Sequence, residues 1–197
     1  MEPAVRVVGL GGSLRKGSTS LAALQITLEA AAKAGASTQV FAVGELDLPM
    51  FRPGMDAPPA ARALLEATAA AQGMVWSSPL YHGSVSGSFK NAIDWLHLLS
   101  DHDPPYLTDQ VIGLVTSAGG TQGLQAINTM EFIVRALRAW AVPLVLPVAQ
   151  ARRAFDEDGR VRDDMVGGQL AALGAEVVRA ARQMAARGTC DYSEPWQ

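Results

Sequence analysis

The sequence predicts an α/β fold in which one parallel sheet carries helices on both faces. Short apolar runs rich in β-branched residues alternate along the chain with longer segments rich in helix-forming residues. The apolar runs are nearly continuous, which is typical of parallel strands buried on both sides. With 197 residues and a hydrophobic fraction of 49%, the chain is expected to form one domain with a substantial core, followed by a tail at 188–197.

Five apolar runs supply the strands of this sheet, and five other segments supply its helices. The predicted strands are residues 4–10, 37–42, 73–78, 110–116 and 142–148. The predicted helices are residues 19–34, 59–71, 88–99, 123–140 and 163–187. Pro59 suits the first turn of a helix, Gly35 suits the position after one, and Asp158-Gly159 predicts a tight hairpin. Five parallel strands with these crossovers favour a flavodoxin-like three-layer sandwich with strand order 2-1-3-4-5.

Composition limits the classes of partner. The net charge of −3 argues against a nucleic-acid or anionic-membrane surface. The single cysteine, Cys190, allows no intrachain disulfide and suits a reducing cytoplasm. The N-terminal residues do not form the pattern of a signal peptide, and the most apolar segment, AWAVPLVLPVA, is too short to span a bilayer. We therefore expect a cytoplasmic protein without a nucleic-acid or membrane partner.

The loop after the first strand, within VVGLGGSLRKGSTS at 7–20, lies where open α/β sheets bind ligands. It is not a dinucleotide fingerprint, because Leu14 stands where the third glycine is needed. It is not a Walker loop, because Ser18 stands where the lysine is needed. Ser13 and Lys16 have the Ser-x-x-Lys spacing of serine acylases, but the partner motifs of that group are missing.

What remains is a phosphate-binding turn without a metal. Its glycines let backbone N–H groups turn inward, and the following helix presents its positive end. Arg15 offers a fork of donors that matches phosphate oxygens. Hydroxyl donors come from Ser13, Ser18, Thr19 and Ser20. An ordinary glycine turn followed by a capping serine is the alternative, and this loop alone leaves it open.

Two further loops follow the third and fourth predicted strands, at 77–99 and 116–123, and are expected at the same sheet edge. The segment 79–83 offers backbone groups to the edge of a planar ring, with Tyr81 as an apolar wall. The small residues at 117–120 let the backbone approach the ring from another side. A phosphate turn with two such loops predicts a mononucleotide site, for which flavin mononucleotide (FMN) is the natural candidate.

These loops also carry a family resemblance. The stretches GSLRKGSTS (12–20), SPLYHGSVSGSFKNAIDWL (78–96) and SAGGTQG (117–123), with LDLPMF (46–51), resemble the NADPH-dependent FMN reductase family. The similarity runs from about residue 5 to residue 148. It implies a flavodoxin-like fold, bound FMN, and reduction of a small-molecule acceptor with NADPH or NADH as co-substrate. It also implies a homodimer or homotetramer.

The resemblance assigns roles by matched position. The FMN phosphate would be held by Ser13, Arg15, Ser18 and Ser20. The flavin would be lined by Pro79, Leu80, Tyr81, His82, Gly83 and Ser84. The isoalloxazine or ribityl chain would be flanked by Ser117, Ala118, Gly119 and Gly120. Many family members carry another residue at His82, so only its backbone role carries over. The cofactor performs the hydride chemistry, so no catalytic acid or base is nominated.

The segment 88–99 carries more apolar residues than one buried face needs. Phe89, Ala92, Ile93 and Leu96 form one stripe, and Trp95, Leu98 and Leu99 widen it. Deep burial under another element and a subunit interface both explain the excess, and the resemblance favours the interface. The pair Lys90 and Asp94 suits a contact within the helix or across a dimer.

Four further expectations concern isolated side chains. The histidines at 82, 97 and 102 have no ligand-spaced partners, so no metal site is expected. Trp76 and Trp140 are expected in the core. Tyr192 and Trp196, in the tail, are candidates for docking on a neighbouring subunit. His97 is expected at a surface or an interface.

Two other functions share this fold. A flavodoxin-type electron carrier would bind FMN without oxidising NAD(P)H itself, and a flavin-free interaction module would bind neither. The long second motif and the modest net charge favour the enzyme over the carrier.

Overall fold

The computed structural model describes residues 5–187, and its centre is the predicted parallel sheet. The parallel strands are β1 (Arg6–Gly11), β2 (Ser37–Ala42), β3 (Gly73–Tyr81), β5 (Val111–Ser117) and β6 (Trp140–Val148). They lie in the order β2-β1-β3-β5-β6, which confirms the flavodoxin-like order expected for the five predicted strands. A two-residue strand, β4 (Ser84–Val85), pairs antiparallel with the end of β3.

Helices cover both faces of the sheet. They are α1 (Thr19–Lys33), α2 (Val43–Leu46), α3 (Pro59–Ala69), α4 (Gly87–Trp95), α5 (Leu124–Ala136), α6 (Ala151–Ala154) and α7 (Asp164–Arg187). A 3₁₀ turn at Leu96–Leu99 continues α4. Val75 packs on the side of α1 and α7, whereas its neighbour Trp76 packs on the side of α3, α4 and α5. Successive β3 residues thus supply both cores, as the alternation of side chains in a strand requires.

Helices α1 and α7 touch backbone to backbone at Gly174. A β-carbon there would overlap the carbonyl of Thr27 and lie 2.9 Å from the backbone nitrogen of Ala31. Only glycine therefore allows this approach of the two helices. The contact fixes α1, whose first residues reach the carboxyl edge of the sheet.

The structure contradicts the predicted burial of one tryptophan. Trp76 is fully buried, as predicted, but Trp140 is 56% exposed. Trp140 is the first residue of the edge strand β6, and its indole N–H donates to Asp109 Oδ1 at 3.1 Å. The predicted helix 123–140 ends at Ala136, because the chain turns at Arg138, where φ is +65°. Trp140 is therefore the first residue of a strand at the edge of the sheet and not the last residue of a helix packed on the sheet.

The segment 88–99 is buried mostly by its own chain. Trp95 is fully buried, contacts the Phe51 ring edge-on at 5.3 Å, and donates its indole N–H to the Pro49 carbonyl at 3.0 Å. Leu99 is also buried, whereas Leu98 is half-buried. Deep burial thus accounts for most of the excess apolar residues, and the subunit interface stays a prediction. Lys90 contacts Asp94 at 2.6 Å within the same helix.

The turn before α7 has the predicted hairpin form. Phe155 and Val161 make one antiparallel bridge, and Gly159 has φ of +79°. Within residues 5–187 no helix is long and apolar enough to cross a membrane. The expectations for Cys190, Tyr192 and Trp196 lie outside the described residues.

Candidate functional site

The carboxyl ends of four parallel strands and the segments that follow them border one cleft at the edge of the sheet. The cleft has a volume of about 230 Å³. Its lining consists of Ser13, Arg15, Ser18, Thr19, Ser20, Pro79, Leu80, Tyr81, Ser117, Ala118, Gly119, Ala151 and Arg152. Most residues predicted for the site from the sequence are therefore brought together, and His82, Gly83, Ser84 and Gly120 are not in the lining.

The turn after β1 leads into the N-terminus of α1. Ser18 caps this helix: its backbone is extended, with φ −74° and ψ 145°, and its Oγ accepts from the Leu21 N–H at 3.2 Å. The N–H groups of Thr19 and Ser20, in the first helical turn, have no partner within the helix. The Oγ atoms of Ser18 and Ser20 lie 3.2 Å apart. The start of α1 thus presents amides and hydroxyls to the cleft, with the positive end of the helix dipole behind them.

Three serines outside the cleft lining hold this turn in place, of which Ser77 and Ser86 are buried and Ser88 is half-buried. The Gly12 N–H donates to the Ser77 carbonyl at 2.8 Å, and Ser77 Oγ donates to the Ser20 carbonyl at 2.7 Å. The Gly12 carbonyl accepts from Ser86 Oγ and, at 3.0 Å, from Ser88 Oγ. Sequence reasoning missed these positioning roles. The density of serines in SVSGS is the only signal that pointed to them.

The turn after β3 is a two-residue hairpin. His82 and Gly83 have φ of +49° and +82°, which is the type I′ pattern that suits the twist of the flanking strands. Tyr81 pairs with Ser84 across the hairpin. Because the strand continues to Tyr81, its last three residues border the cleft, while the residues of the turn itself point beyond it.

The turn after β5 contains a buried hydroxyl without a partner. Ser117 is 5% exposed, and its Oγ has no hydrogen-bond partner among residues 5–187. Such a group costs about 1–3 kcal/mol unless a ligand satisfies it. Next to it, nothing lies within 4 Å of the β-carbon positions of Gly119 and Gly120. The turn therefore has the donor and the free space that a polar ligand bound in the cleft requires.

The turn after β6 forms a fourth wall that the sequence interpretation missed. The Ala151 N–H donates to the Ala118 carbonyl and the Gln150 N–H donates to the Gly120 carbonyl, both at 2.9 Å. These bonds place Ala151 and Arg152 beside the turn after β5. The signal was available, because the last predicted strand is parallel and must end at the same edge.

The cleft is electropositive although the chain is acidic overall. Its lining includes Arg15 and Arg152 and no aspartate or glutamate. Within the described residues the ion pairs involve Lys90, Arg160 and Arg179, so neither cleft arginine is neutralised by a carboxylate. No group of three or more histidine, cysteine or acidic side chains in residues 5–187 is arranged to hold a metal ion. The arrangement suits an anionic ligand with hydrogen-bonding groups along its length.

Known proteins resemble this chain in sequence and in fold. It is 30% identical over 177 residues to the NADPH-dependent FMN reductase ArsH of Shigella flexneri, covering 90% of this chain and 69% of that protein. It is 27% identical over 191 residues to an NAD(P)H:quinone oxidoreductase of Solanum tuberosum, covering 87% of this chain and 90% of that one.

The fold resembles that of FerB, a flavoenzyme NAD(P)H:(acceptor) oxidoreductase from Paracoccus denitrificans, with a TM-score of 0.72 at 19% identity. That match covers 89% of this chain and 98% of FerB. The sequence pattern of one family extends over residues 5–153, from the start of the sheet to the fourth wall of the cleft. By that match the chain belongs to the NADPH-dependent FMN reductase family.

Proposed function

We propose that this chain is an NAD(P)H-dependent oxidoreductase that holds FMN in the cleft. One observation carries the proposal: a single cleft is lined by the N-terminus of a 15-residue helix, by two arginines and by Ser117, whose buried hydroxyl has no partner in residues 5–187. These groups match the two polar parts of FMN, a phosphate and a hydroxylated chain. When bound, FMN would take hydride from NADPH or NADH and pass it to an acceptor in a ping-pong cycle.

The turn after β1 would hold the phosphate. Arg15 would donate in the forked geometry that suits phosphate oxygens, and the amides of Thr19 and Ser20 would add fixed donors. Ser18 Oγ already accepts from the Leu21 amide, so its own proton is free to donate to a ligand or to Ser20. Ser13 Oγ accepts from the Arg15 amide at 3.2 Å and closes the turn.

The turns after β3 and β5 would hold the rest of the cofactor. Pro79, Leu80 and Tyr81 supply a wall, with Tyr81 55% exposed at its end. Ser117 would donate its free hydroxyl, and the backbone at Ala118 and Gly119 would approach closely. For His82, Gly83, Ser84 and Gly120 we propose that they fix the shapes of their turns, since none of them borders the cleft.

The acceptor is proposed by class. A quinone, an azo compound or free flavin would suit a reductase of this kind, and the quinone reductase among the relatives supports the first. No side chain in the cleft lining is a histidine, cysteine or carboxylate. This chain's own contribution is therefore to bind and orient the reactants rather than to transfer protons.

Titration and steady-state kinetics test the proposal. The purified full chain is titrated with FMN, and its oxidation of NADPH and of NADH is measured with quinone and azo acceptors. We expect saturable FMN binding and NAD(P)H consumption without any added reductase, which a flavodoxin-type carrier would not show. Failure to bind FMN at micromolar concentrations would overturn the proposal.

We also propose that the chain acts as a homodimer or homotetramer in the cytoplasm, with the segment 88–99 at the interface. The surface available there includes the exposed Lys90 and His97 and the half-buried Leu98. Light scattering gives the mass in solution. His97→Glu should lower that mass if the segment is the interface, and an unchanged mass would exclude it.

A further inference from the structure

Arg152 borders the same cleft as the phosphate turn but belongs to a different part of the chain. It lies in α6, after the last strand, more than 130 positions from Arg15. Arg152 does not belong to the motif at 12–20 from which the phosphate site was predicted. Its side chain is exposed and is not packed in the core. A second cation in a cleft without carboxylates requires an explanation of its own.

The backbone holds Arg152 in a fixed position. On one side, the amides of Gln150 and Ala151 are bonded to the turn after β5. On the other side, Ala154 and Phe155 are buried in the core shared by α1 and α7. The four-residue helix α6 is therefore attached at both ends, and the arginine extends from an ordered support.

The same segment also reaches the start of α1. The hairpin that follows α6 packs there, and the β-carbon position of Gly159 lies 3.2 Å from Cβ of Ala22, in the first turns of α1. The phosphate turn precedes that helix directly. Arg152 thus lies on a segment packed against the helix whose N-terminus faces the cleft.

We propose that Arg152 is a second phosphate-binding cation of the cleft, which binds a phosphate monoester together with the start of α1. The inference rests on the proposed function. The shared cleft favours FMN as the source of that phosphate, because Arg15, Arg152 and Ser117, whose hydroxyl has no partner in residues 5–187, all line one space. The 2′-phosphate of NADPH has the same chemistry and is the other source. In both cases the guanidinium pairs with a phosphate dianion, and its planar fork of N–H donors matches two phosphate oxygens.

The neighbouring arginine provides a matched control. Arg153 is also exposed and carries the same charge, but its guanidinium donates to Gln150 Oε1 at 2.9 Å and it is not in the cleft lining. Arg152→Ala and Arg153→Ala therefore remove the same charge from adjacent positions. A difference in ligand affinity between the two variants is therefore due to the position of Arg152 in the cleft and not to the change in net charge.

The experiment compares ligands that differ only in the phosphate. The wild type and both variants are titrated with FMN and with riboflavin, and their KM values for NADPH and NADH are measured. If Arg152 binds the FMN phosphate, Arg152→Ala weakens FMN binding about 10-fold and leaves riboflavin binding unchanged. If it binds the nicotinamide 2′-phosphate, the KM for NADPH rises about 10-fold and that for NADH does not.

Two results overturn the inference. In one, Arg152→Ala behaves as Arg153→Ala does towards all four ligands. In the other, FMN and riboflavin lose affinity equally, which would mean that the substitution disturbs the cleft instead of removing a phosphate contact. A wild type that binds neither flavin would instead defeat the proposed function, so the two failures are distinguishable.

Discussion

Replacing Ser117 by alanine should stabilise the FMN-free protein and weaken FMN binding at the same time. The Ser117 hydroxyl is buried at the end of β5 and has no partner within residues 5–187. Removing an unsatisfied buried hydroxyl relieves part of a penalty of about 1–3 kcal/mol, so the free energy of unfolding should rise by about 1 kcal/mol. Loss of one hydrogen bond to the ligand should weaken FMN binding about 2- to 12-fold.

Thr116→Val is the matched control for this prediction. Thr116 is the preceding residue of the same strand and is fully buried, but its hydroxyl donates to the Ser78 carbonyl at 2.8 Å. Its replacement removes that buried hydrogen bond and should destabilise the protein by about 0.5–1.5 kcal/mol. The two variants should therefore change stability in opposite directions.

Urea unfolding of the FMN-free protein measures the first effect, and FMN titration by flavin fluorescence measures the second. With a urea slope of about 1–3 kcal/mol per molar, a gain of about 1 kcal/mol moves the unfolding midpoint up by about 0.3–1 M. If Ser117→Ala instead unfolds at lower urea, as Thr116→Val should, the hydroxyl has a partner in the folded chain and the reasoning is refuted. A stabilised variant with unchanged FMN affinity would show that the hydroxyl does not contact the ligand.

Three further substitutions test other parts of the structure. Arg15→Ala should weaken FMN binding about 10- to 100-fold, the effect of losing charge-assisted hydrogen bonds, with activity restored at high FMN; an unchanged titration would contradict this. Gly174→Val should destabilise the fold by more than 3 kcal/mol in urea unfolding, because its side chain overlaps the backbone of α1, whereas Gly168→Ala in the same helix has free space and should gain about 0.5–1 kcal/mol. Ser86→Ala should lower the free energy of unfolding by about 1–2 kcal/mol in the same assay. The reason is that Ser86 Oγ accepts from the Phe89 N–H at the start of α4 and donates to the Gly12 carbonyl. Unchanged stability would exclude that role.

The strand order was predictable because it follows from features that are local in the sequence. Each apolar run is long enough to be a strand, the segments between them form helices, and the crossover rules leave few arrangements. The two principal loops were predictable for the same reason. Once the strands are parallel, residues that follow them, such as Ser13 and Ser117, must meet at one edge.

Other features were not predictable because they depend on exact element boundaries and on contacts between segments distant in the sequence. Trp140 was assigned to the end of a helix, but the helix ends at Ala136, and Trp140 begins the edge strand β6, where it is exposed. Arg152 lies in a segment without a motif, and its position depends on contacts with the turn after β5 and with the hairpin behind it. His82 and Gly83 were assigned to the ligand because the extra length of β3, stabilised by pairing with β4, could not be read from propensity.

The serines at and behind the cleft are of two kinds, which differ in their hydrogen-bond partners. The hydroxyls of Ser86 and Ser88 donate to the Gly12 carbonyl in the turn after β1, and that of Ser77 donates to the Ser20 carbonyl at the start of α1, so these hydroxyls connect one wall of the cleft to another. The hydroxyl of Ser117 is bonded to nothing in the described chain. A conformation-holding hydroxyl stabilises the folded protein whether or not a ligand is present, whereas an unpartnered one lowers stability until a ligand arrives. The opposite stability changes expected for Ser86→Ala and Ser117→Ala therefore distinguish a serine that holds the cleft together from one that is available to bind its ligand.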